Sequence, residues 1–333
     1  MAHIHPPQNI LFSLPRTASH LLTRIINLPA QPSLARPQNG EDGYLFLPVC
    51  IQRFKNSFFG RDPSTWTEEE HHLFKHALQE SFNEWTSLLQ QARATAKLTY
   101  IKEHINFLVD PVSEARFFGY TASDRDRRFF EVEDSNAPSR IGKSEDNITC
   151  LPDHFLIHSV KPTFLIRHPC LTFPSNFRMA LRNQSREDVL REGGAHRWEC
   201  TYYWSLSLYR FYIRSEEFDR GSCVEDVKFP IVLDAADLAD ETLVRKYARA
   251  VGLDEGEIVF EWARQDVEGA ATASILGSTG VEKGKLGVEV DFDLLEERAK
   301  WEVEFGDVLA DRLFELVSLS MGDYEELRAF RLR

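Results

Sequence analysis

Residues Asn9 to Arg24 read NILFSLPRTASHLLTR. Asn9 to Leu14 is short and mostly apolar, the length of a strand buried on both faces of a parallel sheet. It stops at Pro15, which has no N–H to give to a ladder. Arg16-Thr17-Ala18-Ser19-His20 follows, then Leu21, Leu22, Ile25 and Ile26 at helical spacing. The stretch is strand, tight loop, helix. The unpaired amides of the helix's first turn, with the positive end of its dipole, face whatever lies over the loop, and an anion suits that place. Arg16 adds a fork of donors, Thr17 and Ser19 add hydroxyls, and Ala18 keeps the backbone approachable. The GxxxxGK[ST] loop of nucleoside triphosphatases is absent. A Ser or Thr at such a turn can equally do no more than cap the helix, so both readings stay open at this point.

Three further segments repeat the strand pattern. Leu98 to His104 (LTYIKEH) alternates and then turns polar, Thr163 to Ile166 ends in Arg167-His168-Pro169, and Phe229 to Asp234 (FPIVLD) is apolar throughout its middle. Helical segments separate them. Thr67 with Glu70 forms a capping box ahead of Leu73, Ala77, Leu78, Phe82, Trp85, Leu88 and Leu89 at spacings of three and four. Asp240 to Gly252 is a second amphipathic helix, with Gly252 as its stop. Strands alternating with helices predict an α/β fold, a three-layer sandwich around a parallel sheet. In such sheets the carboxyl ends of strands face the ligand crevice, and Lys102 and His104, two apart, point to the same side there. A strand-end histidine also serves as a hydrogen-bonded bystander.

The remaining segments are less regular. Residues 30–65, rich in Pro, Gly and Asn, read as a long surface excursion, and Ser123 to Asp146 as a charged loop. Trp198 to Tyr212 holds seven aromatic residues and is either a packed core helix or the aromatic wall of an acceptor pocket. Gly277 to Gly287 is a Gly-rich loop with two lysines. An amphipathic pattern from Leu294 to Val317, which Gly306 kinks or divides, belongs to a C-terminal helical segment at 293–327. Without internal repeats or low-complexity linkers, residues 1–333 are expected to form one domain.

Composition excludes several classes of function. The net charge of −13 repels nucleic acid and anionic membranes, so an anion must be bound locally, and no acidic residue precedes Glu41. No run of 18 apolar residues and no secretory leader occurs, so a soluble, cytoplasmic protein is expected. The five cysteines are scattered, with no CxxC pair, and read as free thiols rather than disulfides or a zinc site. No carboxylate cluster calls for a metal.

Together the strand-end motifs resemble the sulfotransferases that use 3′-phosphoadenosine 5′-phosphosulfate (PAPS), in particular the fungal sulfotransferase-like branch. Pro15-Arg16-Thr17-Ala18-Ser19-His20 is similar to the family's 5′-phosphosulfate loop. Lys102-Glu103-His104 resembles the Lys-x-His that carries its base. Arg167 and Ser175, eight residues apart, have the spacing of the pair that holds the 3′-phosphate. Lys283-Gly284-Lys285-Leu286-Gly287 resembles most of the final Arg-Lys-Gly-x-x-Gly loop, and Trp301 to Gly306 with Asp323-Tyr324 resembles the end of the fungal branch. His20 stands where the pattern has a hydroxyl, Glu282 where it has Arg, and Arg16 where Lys is more usual.

The resemblance implies a fold of the P-loop kinase type and sulfuryl transfer from PAPS to a hydroxyl of a small, hydrophobic acceptor, leaving 3′-phosphoadenosine 5′-phosphate (PAP). It implies His104 as general base, Lys102 and Arg16 at the transferring group, and Thr17, Ala18, Ser19 and His20 in the phosphosulfate loop. Arg167, Ser175, Lys283 and Gly284 would hold the rest of the donor. Three rivals stay open: sulfation followed by elimination or cyclisation in secondary-metabolite biosynthesis, an ATP phosphotransferase, and a non-catalytic nucleotide-binding relative. Acceptor identity and oligomeric state are not legible.

Overall fold

The computed structural model describes all residues except 1–5, 38–42, 122–123, 135–142, 192–193, 263–279 and 289. Four strands, β1 (Gln8–Ser13), β2 (Thr99–His104), β3 (Lys161–Ile166) and β4 (Ile231–Asp234), pair all-parallel in the order β2-β1-β3-β4 and are flanked by helices. The α/β architecture is the expected one. β1 and β2 are buried along their whole length, as strands covered on both faces must be. The register sets Ser13 beside His104 on one side and Leu165 on the other, so three strand ends are level. Because β1 has β2 on one flank and β3 on the other, the winding reverses there. The crevice beyond its carboxyl end is the switch point at which open α/β sheets hold ligands.

Helix boundaries follow local chemistry. Helix α1 (Ser19–Ile25) leaves the β1 loop directly. The Thr67 hydroxyl accepts the Glu70 N–H at 3.2 Å and the Glu70 carboxylate accepts the Thr67 N–H at 2.8 Å, which starts the long helix Glu68–Ala94. That helix buries Phe82 and Trp85 against Phe155, with ring centroids 4.9 Å apart in each pair; each such side chain contributes roughly 1.5–3 kcal/mol on leaving water. Gly306, at φ 84°, divides the C-terminal segment into helices Leu294–Phe305 and Asp307–Ala329. The aromatic stretch forms helices Ala195–Glu199 and Tyr203–Arg214, and Trp198, Tyr202, Trp204 and Tyr212 are fully buried. It is core.

Two expectations need correction. Within 30–65 the chain does not merely skirt the surface: Leu47–Lys55 is a helix, Phe46, Val49 and Phe58 are buried, and Arg53 is wholly inaccessible. Burial of that cation is possible because Glu114 pairs with it, the Val109 carbonyl accepts from it at 2.6 Å, and it lies over the rings of Phe74 and Trp198. In the charged stretch 123–146, Asp124–Phe129 is helical, and Arg127 and Lys143 both meet the buried Asp110, at 3.1 and 3.0 Å. Partners far away in sequence turn apparently solvated charges inward.

Both outer strands are covered by backbone. On β2, the Tyr44 N–H donates to the Lys102 carbonyl at 2.7 Å; just before that strand, the Ala35 N–H donates to the Leu98 carbonyl at 2.8 Å. Gly43 is needed here because a Cβ would fall 2.0 Å from the Lys102 carbonyl oxygen. On β4, the Leu332 N–H donates to the Val232 carbonyl at 2.8 Å. Among the described residues no helix is long and apolar enough to cross a membrane.

Candidate active site

The loop after β1 turns on two left-handed residues that are not glycine, Arg16 at φ 69° and Ala18 at φ 68°. That conformation costs a residue with a Cβ roughly 1–2 kcal/mol and persists only where surrounding contacts enforce it. The contacts are specific. Thr17 is buried and its hydroxyl donates to the Leu14 carbonyl at 2.8 Å, so it ties the loop and does not face outward. Arg167 Nη1 donates to the Arg16 carbonyl at 2.8 Å, and Arg16 Nε donates to the Ser175 hydroxyl at 3.0 Å.

Arg167 is itself clamped. The Tyr202 hydroxyl accepts its N–H at 2.8 Å and donates to its carbonyl at 2.5 Å. Its Nη2 donates to the Lys285 carbonyl at 2.5 Å, while Nε is buried without a partner. Desolvation lowers the guanidinium pKa to about 10, which leaves it cationic at neutral pH.

Strand alternation puts Lys102 and His104 on one face of β2 and Glu103 on the other. Glu103 is fully buried and Oε1 accepts the Phe46 N–H at 3.2 Å. Burial, partly offset by amide contacts from Phe46 and Leu45, pushes its carboxyl up to about 8, so it is mostly neutral at pH 7.

On the other face the hydrogen bonds form a chain whose directions are set at both ends. The Ser13 hydroxyl donates to the Glu103 carbonyl at 3.3 Å, and therefore accepts from His104 Nδ1–H at 2.9 Å. His104 Nε2 is left as a lone pair, and the Tyr44 hydroxyl donates to it at 3.1 Å. At the far end the Lys102 ammonium, which can only donate, points at His20 Nδ1 at 3.1 Å. His20 Nε2–H then donates to the Tyr44 oxygen at 3.4 Å. Burial, with Lys102 and His20 adding, holds His104 well below the usual histidine range. Partial desolvation of the His20 ring, with Lys102 and Arg16 adding, pushes it down to about 4, although the residue keeps an exposed edge. Both imidazoles are neutral at pH 7.

A cavity of about 190 Å³ brings these parts together. Arg16, Ala18, Ser19, His20, His104 and Arg167 all line it. Lys102 reaches it through His20, and Ser175 through Arg16. Lys283 and Gly284 are placed differently: in the turn of helix Lys283–Leu286, Lys285 and Leu286 face this cavity, while Lys283 lines a neighbouring hollow beside Phe260 and Trp262. Gly284 has open space where a Cβ would be. Glu282 also lines the cavity and pairs with Lys285 at 2.8 Å. Residues 277–279 of the Gly-rich loop lie outside the described residues.

Ser13 and Tyr44 were not singled out from the sequence, and Tyr202 and Lys285 entered it only as members of the aromatic stretch and of the Gly-rich motif, without a role of their own. Ser13 and Tyr202 could have been suspected as polar atoms in buried apolar runs, which must find partners. Tyr44 carries no local signal, since its place depends on the backbone clip to Lys102.

The donor set suits a phosphorylated anion. Arg16 and Arg167 are two guanidiniums beside the serine hydroxyls of Ser19 and Ser175, and the buried Arg167 Nε is a donor still unmatched. Glu282 opposes an anion, but its carboxylate is engaged by Lys285. Among the described residues no group of three or more His, Cys, Asp or Glu side chains is arranged to hold a metal.

Two fungal proteins align over 98% of the chain. Sulfotransferase ppzF of Metarhizium majus (strain ARSEF 297) is 34% identical, with 97% of its length covered. Sulfotransferase ppzF of Metarhizium rileyi (strain RCEF 4871) is 32% identical, again with 97% covered. No family model matches the chain, and no solved structure matches it.

Proposed function

The chain belongs to the sulfotransferase family of these fungal relatives, a family of transferases, and on that premise we propose that it moves a sulfuryl group from PAPS to a hydroxyl of a small acceptor with His104 as general base. The observation that carries this reading is the setting of His104, with Nδ1 2.9 Å from the Ser13 hydroxyl and the ring on the cavity wall. The Ser13 hydroxyl accepts from Nδ1–H, which leaves Nε2 as the unprotonated nitrogen toward the cavity that also holds the Arg16 loop. A base needs an available lone pair within hydrogen-bond reach of the proton it abstracts, and geometry comes before pKa.

The donor supplies the sulfuryl group and leaves as PAP. Arg16 and Lys102 place positive charge where the transferring oxygens gather, and the Ser19 hydroxyl lines the same wall. Arg167, clamped by Tyr202, and Ser175 hold the second phosphate. The strained loop is pre-set, so little reorganisation is needed at the moment of reaction. Pro15, Leu21, Tyr44 and Leu286 give the cavity an apolar side that suits a hydrophobic alcohol or phenol.

Thermal unfolding with PAP, 5′-AMP and ATP tests the donor class. At a hundred times its dissociation constant PAP adds about 2.7 kcal/mol to stability, and Arg167→Met should abolish most of that shift. A shift with ATP and none with PAP would overturn the reading in favour of a phosphotransferase.

A further inference from the structure

The hydroxyl that meets the base in this structure belongs to the protein. We propose that Tyr44 is itself a sulfuryl acceptor: with donor bound and no external acceptor present, the site esterifies its own phenol. This rests on the donor and base assigned above and adds a modification site to them.

An acceptor oxygen must do three things: give its proton to His104 Nε2, face the phosphosulfate loop, and sit where charge developing on it is stabilised. Tyr44 does all three. Its hydroxyl donates to Nε2 at 3.1 Å. It lines the same cavity as Arg16, Ala18 and Ser19. Its oxygen receives His20 Nε2–H at 3.4 Å, and the Lys102 ammonium stands 4.4 Å from its ring centroid. Of the other hydroxyls nearby, Ser13 serves the far nitrogen of His104, Thr17 is tied to Leu14 and Ser175 accepts from Arg16, whereas the Tyr44 hydroxyl is the one bonded to Nε2. His20 matters here because a hydroxyl in its place could not bridge Lys102 to the phenol.

The backbone holds Tyr44 in position as an internal reactant is held. The Tyr44 N–H is bonded to the Lys102 carbonyl at 2.7 Å, and Gly43 lies against that same carbonyl where no Cβ could fit. The phenol is protonated at neutral pH, as any tyrosine is, and burial pushes its pKa further up, so the proton must leave as the new bond forms. In the step, the phenol oxygen bonds to sulfur and the bond between sulfur and the bridging phosphate oxygen breaks. PAP departs with that electron pair, and the phenol proton passes to His104. Nothing is oxidised or reduced. The product is a Tyr44 sulfate ester occupying the place an external acceptor needs, so self-sulfation and turnover of an external acceptor compete.

The test uses the full chain. Its intact mass and peptide map are compared before and after incubation with PAPS alone, with PAP-induced thermal shifts recorded in parallel for wild type, Tyr44→Phe and His104→Gln. The expected result is one SO3 on the peptide carrying Tyr44, formed on incubation or already present as isolated. Tyr44→Phe should acquire none, and labelling of His104→Gln should be about 100-fold slower, while both variants keep the PAP shift. A PAP shift in wild type without sulfate on Tyr44, or equal labelling of Tyr44→Phe, overturns the proposal and leaves the donor assignment standing. Absence of both the shift and the label overturns the two together.

Discussion

Replacing Glu103 by Gln tests how the charge at the site is arranged. Glu103 lies between Lys102 and His104 but on the opposite face of β2, fully buried, with Oε1 on the Phe46 amide and Oε2 unpartnered. Burial raises its pKa from about 4.5 to about 8. The folded state therefore holds this proton more tightly than the unfolded chain does. Its contribution is fully present below about pH 4.5 and is lost as pH rises through about 8. Each pH unit inside that window costs about 1.4 kcal/mol. Glu103→Gln keeps the shape and cannot ionise, so the difference in unfolding free energy between wild type and variant isolates this one group. Urea unfolding from pH 5 to pH 8 should show that difference move by about 4 kcal/mol in favour of the variant as pH rises. A difference constant to within about 1 kcal/mol would mean that Glu103 is ionised throughout, and that burial does not govern it. The functional consequence is local: a neutral Glu103 leaves the positive charge of Lys102 directed at His20 and Tyr44.

Other perturbations probe the remaining parts. Ser13→Ala deprives His104 Nδ1–H of its acceptor; stability should fall by about 1–3 kcal/mol, and nitrogen NMR should show the proton redistributed toward Nε2, an unchanged tautomer refuting the role given to Ser13. Ala18→Gly removes left-handed strain and should raise the unfolding midpoint, by an amount corresponding to about 1 kcal/mol or less; a lower midpoint would show that the loop is not strained. Arg53→Met strands the buried Glu114 and should cost about 3–5 kcal/mol, and adding Glu114→Gln should recover part of the loss in the same denaturation assay. If the double variant is no more stable than the single, the pair is not the reason Arg53 can be buried.

The elements that were legible in the chain are those written locally. Pro15 ending an apolar run, the Thr67–Glu70 box, and Gly252 and Gly306 as stops each act within a few residues, and each has its expected effect in the fold. Strand-end cations were legible because parallel topology collects strand ends on one side, whatever lies between them. Tyr44, by contrast, owes its place to a hydrogen bond with a residue 58 positions later, and the pattern of its neighbours says only that the chain turns. Arg53 reads as a surface charge until Glu114 and the rings of Phe74 and Trp198 surround it. Lys285 rather than Lys283 faces the cavity because a single helical turn sets the phase, and a Gly-rich sequence does not reveal that turn.

The coverage of the two outer strands bears on how this protein behaves at high concentration. An unpaired strand edge is a template on which another chain can add, and it is the usual starting point for intermolecular β-pairing. Here the Tyr44 clip occupies part of the exposed side of β2, and Leu332 occupies part of that of β4. The cover on β4 is the Leu332 amide, held at the end of a chain segment that follows helix Asp307–Ala329. Trimming residues 331–333 would bare one side of β4 while leaving the cavity residues in place, and self-association should rise.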